Sequence, residues 1–125
     1  TLILDLTFNQ NYFERMIHHE IFHMIDNSFP ELFKKNQWSE LNNKDFSYAS
    51  CSTCTDLLGL DLEITKGFLT EYSMSTAEED MAEIYSLLKT NFKEIDLLIK
   101  KDNILTKKKN FLINGLKEID EKFIF

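Results

Sequence analysis

Apolar side chains recur every three or four residues along the stretch YFERMIHHEIFHMID, and this period constrains the fold more than any other feature of the sequence. Such spacing is typical of an amphipathic α-helix and predicts a helix over about residues 10–27. The apolar positions share one broad face of that helix: Phe13, Ile17, Ile21, Met24 and Ile25. A helix with so wide an apolar face should be buried on most of its sides.

Most of the remaining chain also has helical patterning, so the sequence predicts a mainly α domain. The segment PELFKKNQWSEL begins with Pro30, which suits the first position of a helix. Three further amphipathic helices are predicted in STAEEDMAEIYSLLKTNF, KEIDLLIKK and ILTKKKNFLINGLKEID, the first of them capped by Ser75 or Thr76. Residues 2–6, LILDL, favour a short N-terminal strand, and residues 43–68 are expected to form a long irregular loop.

Length and composition fit one globular domain spanning residues 1–125 and exclude several classes of protein. The chain is 43% apolar, and its 3 glycines and 1 proline leave no flexible linker. A formal net charge of −7 argues against a nucleic-acid partner. No apolar run approaches the roughly 20 residues that span a bilayer. Because Thr1 is not an initiator methionine and no signal segment follows it, we expect a piece of a longer chain.

The two cysteines, Cys51 and Cys54 in the sequence CSTC, are too few for a disulfide scaffold. A small local disulfide or a pair of incidental loop thiols is favoured over half of a structural zinc site. A closed zinc site takes four ligands, and the chain has no second cysteine pair to complete one.

The histidines of the first predicted helix form a metal-binding pattern. His19 and His23 are four residues apart, so their side chains lie about 5–6 Å apart on one stripe of the helix. Glu20 stands beside them and completes the HExxH arrangement, two zinc ligands with a glutamate that holds a proton. The alternative is a chance match on an exposed helix, but unpaired polar groups in a buried helix would be unfavourable. His18 lies about 100° away, where we expect it in the core or behind the ligands.

A catalytic zinc site takes a third protein ligand and keeps one position open. The chain has no further histidine, and Phe29 occupies the position where a metzincin would carry another ligand. The third ligand is therefore expected to be a carboxylate or, as a second choice, a cysteine. Glu79 and Glu83 lie one turn apart in the helix AEEDMAEIY. They are either candidates for that ligand or part of an ordinary solvated face.

Three segments of the chain follow the motif order of a known family. In sequence they are HExxHxxD, a Trp-Leu-Asn stretch followed by Phe-x-Tyr, and Gly-Phe followed by a tyrosine and ExxAE. The residues that carry them are His19, Glu20, His23 and Asp26, then Trp38, Leu41, Asn42, Phe46 and Tyr48, then Gly67, Phe68, Tyr72, Glu79, Ala82 and Glu83. Together they resemble the gluzincin-type (HExxH-plus-glutamate) zinc metallopeptidases related to the catalytic domain of anthrax lethal factor, and a bacterial group of zinc-binding metallopeptidases.

The resemblance implies a zincin-like, mainly helical fold and one bound Zn²⁺ ion. It makes Glu79 the third metal ligand and puts Tyr72 near the zinc-bound water. Glu83 is then either a residue behind the ligands or a rival ligand, and Asp26 either supports His23 or is only a C-terminal turn residue. Relatives usually carry a small β-sheet before the zinc helix, but only about ten residues precede it here. The same resemblance slightly favours a secreted or extracytoplasmic location.

These residues together predict a zinc-dependent endopeptidase that acts on a peptide or protein substrate. His19, His23 and Glu79 would hold one zinc ion that activates a water molecule. Glu20 would act as general base, and the resemblance implies that Tyr72 donates a hydrogen bond to the oxyanion or the leaving group. The alternatives are a catalytically silent zinc-containing protein-binding module derived from such a peptidase, and a helical interaction domain with a chance HExxH. Glu20 favours the enzyme, because a binding module has no chemical need for a base.

Overall fold

The computed structural model describes the backbone of residues 2–125 and the side chains of residues 11–125. Five α-helices and one small hairpin form this part of the chain, which confirms the mainly α prediction. The helices are α1 (Leu2–Ser28), α2 (Lys35–Ser39), α3 (Ala77–Thr90), α4 (Phe92–Lys100) and α5 (Asn103–Ile119), and the strands are β1 (Leu62–Thr65) and β2 (Phe68–Thr70). Short 3-10 turns at Pro30–Leu32 and Tyr72–Met74 precede α2 and α3. Within the described residues, no helix has the length and apolar character that crossing a membrane requires.

Helix α3 is the centre of the fold. Every residue from Asp80 to Leu88 is buried, and the other helices and β2 pack against it. Thr76 caps the helix, since its Oγ1 accepts a hydrogen bond from the amide of Glu79 at 3.2 Å. This cap defines where the helix begins and therefore where Glu79 projects. The alternative that Glu79 and Glu83 lie on an ordinary solvated face of this helix is wrong, because Glu83 is completely buried.

The two strands pair antiparallel, with Leu62 opposite Thr70. The turn between them uses Gly67, whose φ of +87° is a conformation that favours glycine. The amide of Gly67 donates to Asp102 at 2.8 Å, and its carbonyl accepts from Lys108 at 2.7 Å. Strand β2 is buried and β1 is exposed, so the hairpin is attached to the body through β2 and through α5.

Three local expectations are wrong. Residues 2–6 belong to α1 instead of a strand, because a short apolar run is compatible with either structure and here the helix continues through it. Residues 43–68 are not irregular throughout, since β1 lies near their end. The segment PELFKKNQWSEL is not one helix, because Phe33 leaves the helical conformation and buries its side chain against Phe22 of α1.

The buried face of α1 differs from the expected apolar face. Four of the five residues of the expected face keep much of their surface exposed, namely Phe13 64%, Ile17 43%, Ile21 36% and Met24 67%, whereas Ile25 is partly buried against the core. Phe22 is fully buried instead, with its ring centroid 5.2 Å from that of Phe33 and 5.3 Å from that of Tyr85. His19 and Asp26 are buried as well. Helix α1 therefore turns the side that carries His19 towards α3.

Cys51 and Cys54 form a disulfide, with their Cα atoms 5.1 Å apart. This bond is the local disulfide that the sequence allowed, and it excludes these thiols as half of a zinc site. It closes a short loop in the exposed segment between α2 and β1.

Candidate metal centre

Three side chains from α1 and α3 converge on one point. His19 and His23 stand one turn apart on α1, and Glu79 projects from the first turn of α3. One potential ligand atom from each of these side chains lies within 4.8 Å of the other two. Among the side chains that the structure describes, this is the one group of three or more that could hold a metal ion. The three ligands predicted from the sequence are thus brought together.

The distances within this cluster suit a small cation. The Nε2 atoms of His19 and His23 are 3.1 Å apart. Glu79 Oε2 lies 3.5 Å from His19 Nε2, and Glu79 Oε1 lies 2.5 Å from His23 Nε2. With zinc–ligand bonds of about 2.0–2.1 Å, neighbouring ligand atoms of a tetrahedral site are about 3.3 Å apart. Two of the three separations are near that value, so the donor set fits zinc with only a small movement of Glu79 away from His23.

The cluster is open on one side. The side chains of His19 and Glu79 are 5% and 12% exposed, whereas that of His23 is 23% exposed. Solvent can therefore reach the cluster from the side of His23. An open position beside three protein ligands is typical of catalytic zinc sites, whereas structural sites are closed by a fourth ligand.

Glu83 lies behind the cluster and orients His19. Its Oε2 is 3.1 Å from His19 Nδ1, and its side chain is completely buried. An ionised carboxylate can only accept, so Nδ1 is the donor and Nε2 is left for the cluster. The geometry therefore favours Glu79 as the ligand, since Glu79 reaches the Nε2 atoms of both histidines. Glu83 lies on the opposite side of the His19 ring, at Nδ1.

Tyr72 and Glu20 differ in their surroundings. Tyr72 belongs to the 3-10 turn before α3, and its hydroxyl donates a hydrogen bond to Glu79 Oε2. Its ring centroid is 6.2 Å from that of His19. Glu20 follows His19 on α1 and is exposed. The Tyr72 side chain is thus held against a candidate ligand, and the Glu20 side chain is accessible to solvent.

Asp26 and His18 make their contacts with residues other than the candidate ligands. Asp26 accepts a hydrogen bond from Lys35 Nζ at 2.5 Å and so joins the end of α1 to the start of α2. His18 packs edge-on against Tyr85, with ring centroids 6.4 Å apart. Its buried Nδ1 has no hydrogen-bond partner among the described residues. The structure thus pairs Asp26 with a lysine rather than a histidine and places His18 against the core.

Opposing effects set the charge of the cluster. Burial by itself would lower the pKa of His19, but the carboxylates of Glu79 and Glu83 outweigh it and raise this pKa to about 9. Burial would likewise raise the pKa of Glu79, yet hydrogen bonds with His19 and His23 lower it to about 2. Without a metal ion, the cluster at neutral pH therefore holds an imidazolium beside a carboxylate. A divalent cation can take the place of that bound proton.

The comparison with protein families agrees with this donor set. The model of a family described as "Putative zinc-binding metallo-peptidase" matches residues 4–125. The chain belongs to this family. No curated protein and no solved structure matches the chain significantly. The family match extends through α4 and α5, beyond the segments whose motifs the sequence analysis used.

Two residues that contact Glu83 behind the candidate metal centre were not indicated by the sequence analysis. Arg15 Nη2 and Thr70 Oγ1 both donate to Glu83 Oε1, at 2.9 Å and 2.8 Å. The position of Arg15 could have suggested its role, since it lies one helical turn before His19 and is the only arginine of the chain. No local signal marks Thr70, because it reaches Glu83 from β2.

The metal-free metallopeptidase is expected to lose stability as the pH rises from about 6.5 to about 9. The pKa of His19 is higher in the folded chain than in the unfolded chain. Its contribution is therefore complete below about pH 6.5 and disappears as the pH passes about 9. Thermal unfolding in the presence of a chelator, followed across this range, measures the effect. The zinc-loaded chain serves as the control, and a metal-free melting temperature that rises with pH would contradict the prediction.

Proposed function

We propose that this chain is a zinc-dependent endopeptidase with Glu20 as its general base. The observation that carries the proposal is the convergence of two imidazoles and a carboxylate in a member of a zinc-binding metallopeptidase family. Two histidines and one glutamate are the donor set of gluzincins, which leaves a coordination position for water. The motif order that resembles the lethal factor catalytic domain supports the same class.

His19, His23 and Glu79 are the side chains that would hold the ion. When bound, Zn²⁺ lowers the pKa of a water molecule towards about 7 and polarises the substrate carbonyl. Glu83 accepts from His19 Nδ1 and so directs Nε2 of the same ring into the site. The Thr76 cap fixes the backbone of Glu79 in the first turn of α3, so the third ligand is positioned in the absence of an ion.

Glu20 and Tyr72 would handle the protons and charge of peptide hydrolysis. Glu20 takes a proton from the attacking water and later delivers it to the amide nitrogen that leaves. A carbon–oxygen bond forms at the carbonyl carbon and the carbon–nitrogen bond breaks, which yields a carboxylate and an amine. The Tyr72 hydroxyl is the candidate donor to the oxyanion. Its present contact with Glu79 keeps this hydroxyl beside the cluster.

The first test is the zinc content of the purified chain, measured by plasma mass spectrometry. We expect about one zinc ion per chain and a loss of most of it in Glu79→Ala, because two ligands hold zinc poorly. Glu78→Ala is the matched control, since Glu78 is the exposed neighbour in the same helical turn and should leave the zinc content unchanged. Absence of zinc from the parent after supplementation would overturn the proposal.

The second test separates an enzyme from a silent zinc-containing binding module. Hydrolysis of fluorescein-labelled casein by the zinc-loaded parent, abolished by a chelator and restored by added zinc, is the result expected of the enzyme. A chain that retains stoichiometric zinc and cleaves no peptide bond would support the silent module instead.

A further inference from the structure

Glu83, the residue behind His19, is itself held by side chains from two other elements. Its side chain is completely buried, and each of its oxygens is used. Oε2 accepts from His19 Nδ1, and Oε1 accepts from Arg15 and from Thr70. A buried carboxylate is strongly unfavourable unless a cation and hydrogen-bond donors compensate it.

Arg15 is the cation that compensates Glu83. The Nη2···Oε1 distance is 2.9 Å, and the Arg15 side chain is only 14% exposed. Its Nη1 donates to the carbonyl of Leu60 at 2.7 Å. One guanidinium thus joins α1, α3 and the segment before β1. A lysine could supply the charge, but it lacks the planar fork that makes two such bonds in fixed directions.

We propose that Arg15 is a positioning residue for the metal site, acting on His19 through Glu83; this inference rests on the proposed function. Arg15 and Thr70 fix Oε1, which leaves Oε2 pointing at His19 Nδ1. That hydrogen bond fixes the ring, so that Nε2 faces His23 and Glu79. Partners of this kind behind ligand histidines typically change metal affinity about 10- to 100-fold.

The test is the zinc dissociation constant, measured by competition with a chromophoric chelator on chains shown to be folded by circular dichroism. Arg15→Met should weaken zinc binding about 10-fold. Lys35→Met is the matched control: it removes the same charge from another ion pair of α1, with Asp26, and should leave the dissociation constant unchanged. If Arg15→Met does not fold, Arg15→Lys takes its place and should show a smaller loss.

A double-mutant cycle separates positioning from general stabilisation. If Arg15 acts through Glu83, Arg15→Met should weaken zinc binding less than about 2-fold in a Glu83→Gln background. A purely structural role would lower the melting temperature but leave the dissociation constant of the folded chain unchanged. The inference would be overturned if Arg15→Met bound zinc as tightly as the parent, or if the losses of zinc affinity in Arg15→Met and Glu83→Gln multiplied in the double variant. Either result would leave the proposed function intact. A parent that binds no zinc would overturn both.

Discussion

Replacing Glu20 with glutamine is expected to lower peptide hydrolysis by about 10²- to 10⁴-fold while the zinc content stays at the parent level. Glutamine keeps the size of the side chain but cannot accept the proton of the attacking water. Glu20 is exposed on α1 and is none of the three converging donors, so its loss should leave those donors in place. The measurement is the initial rate of labelled-casein hydrolysis, with zinc quantified in the same sample.

Glu14→Gln is the matched control for Glu20→Gln. Glu14 is also an exposed glutamate of α1, nearer its N-terminus, and the same change there should alter neither hydrolysis nor zinc content. Parent-like hydrolysis by Glu20→Gln would exclude Glu20 as the base. Loss of zinc from that variant would instead make Glu20 a residue that supports the metal.

Replacing Lys108 with methionine is expected to lower the free energy of unfolding by about 3–5 kcal/mol. Lys108 and Asp80 are both completely buried, and Lys108 Nζ lies 2.7 Å from Asp80 Oδ2. The ammonium also donates to the carbonyl of Gly67 and lies 3.9 Å from the ring centroid of Phe68. Methionine would fill most of the space but leave the carboxylate of Asp80 buried without its cation. The unfavourable burial of that carboxylate is the source of the loss.

Urea unfolding of the parent and of Lys108→Met measures this difference in the free energy of unfolding. Lys100→Met is the control: Lys100 is 68% exposed and pairs with Asp96, so its loss should change stability by less than about 1 kcal/mol. Equal midpoints for the parent and Lys108→Met, at equal slopes, would refute the prediction. Asp80 follows Glu79 directly and also accepts from Trp38 and Tyr48, so the buried pair helps to hold the first turn of α3 in place.

Some predictions that rested on neighbouring residues are confirmed, among them the helix that carries the histidines, whereas the N-terminal strand and the single helix from Pro30 are wrong. The His19–His23 spacing is a property of any helix, and so is the cap at Thr76. The approach of Glu79 to the histidines was expected from the motif resemblance, because no local rule joins residues so far apart in sequence. Arg15 and Thr70 were missed for the same reason: their partner, Glu83, lies on another element.

Burial was the property that the apolar pattern of α1 predicted least well. The pattern identifies an apolar face, but it does not say which face another element will cover. The structure buries the side with His19 and Asp26, whose polar groups find partners in Glu83 and Lys35. Polar residues are acceptable there only because those partners exist, and they lie on other elements.

The sequence by itself determined that the chain is mainly helical and that two histidines and a glutamate form HExxH on one helix. These properties follow from composition and from the helical period, which act over a few residues. Only the tertiary structure decided which face of α1 is buried, that Arg15 and Thr70 meet Glu83, and that Asp80 and Lys108 pair in the core. These features depend on contacts between segments that are distant in sequence. A buried polar or charged side chain is stable only if its partner from another segment compensates the loss of hydration.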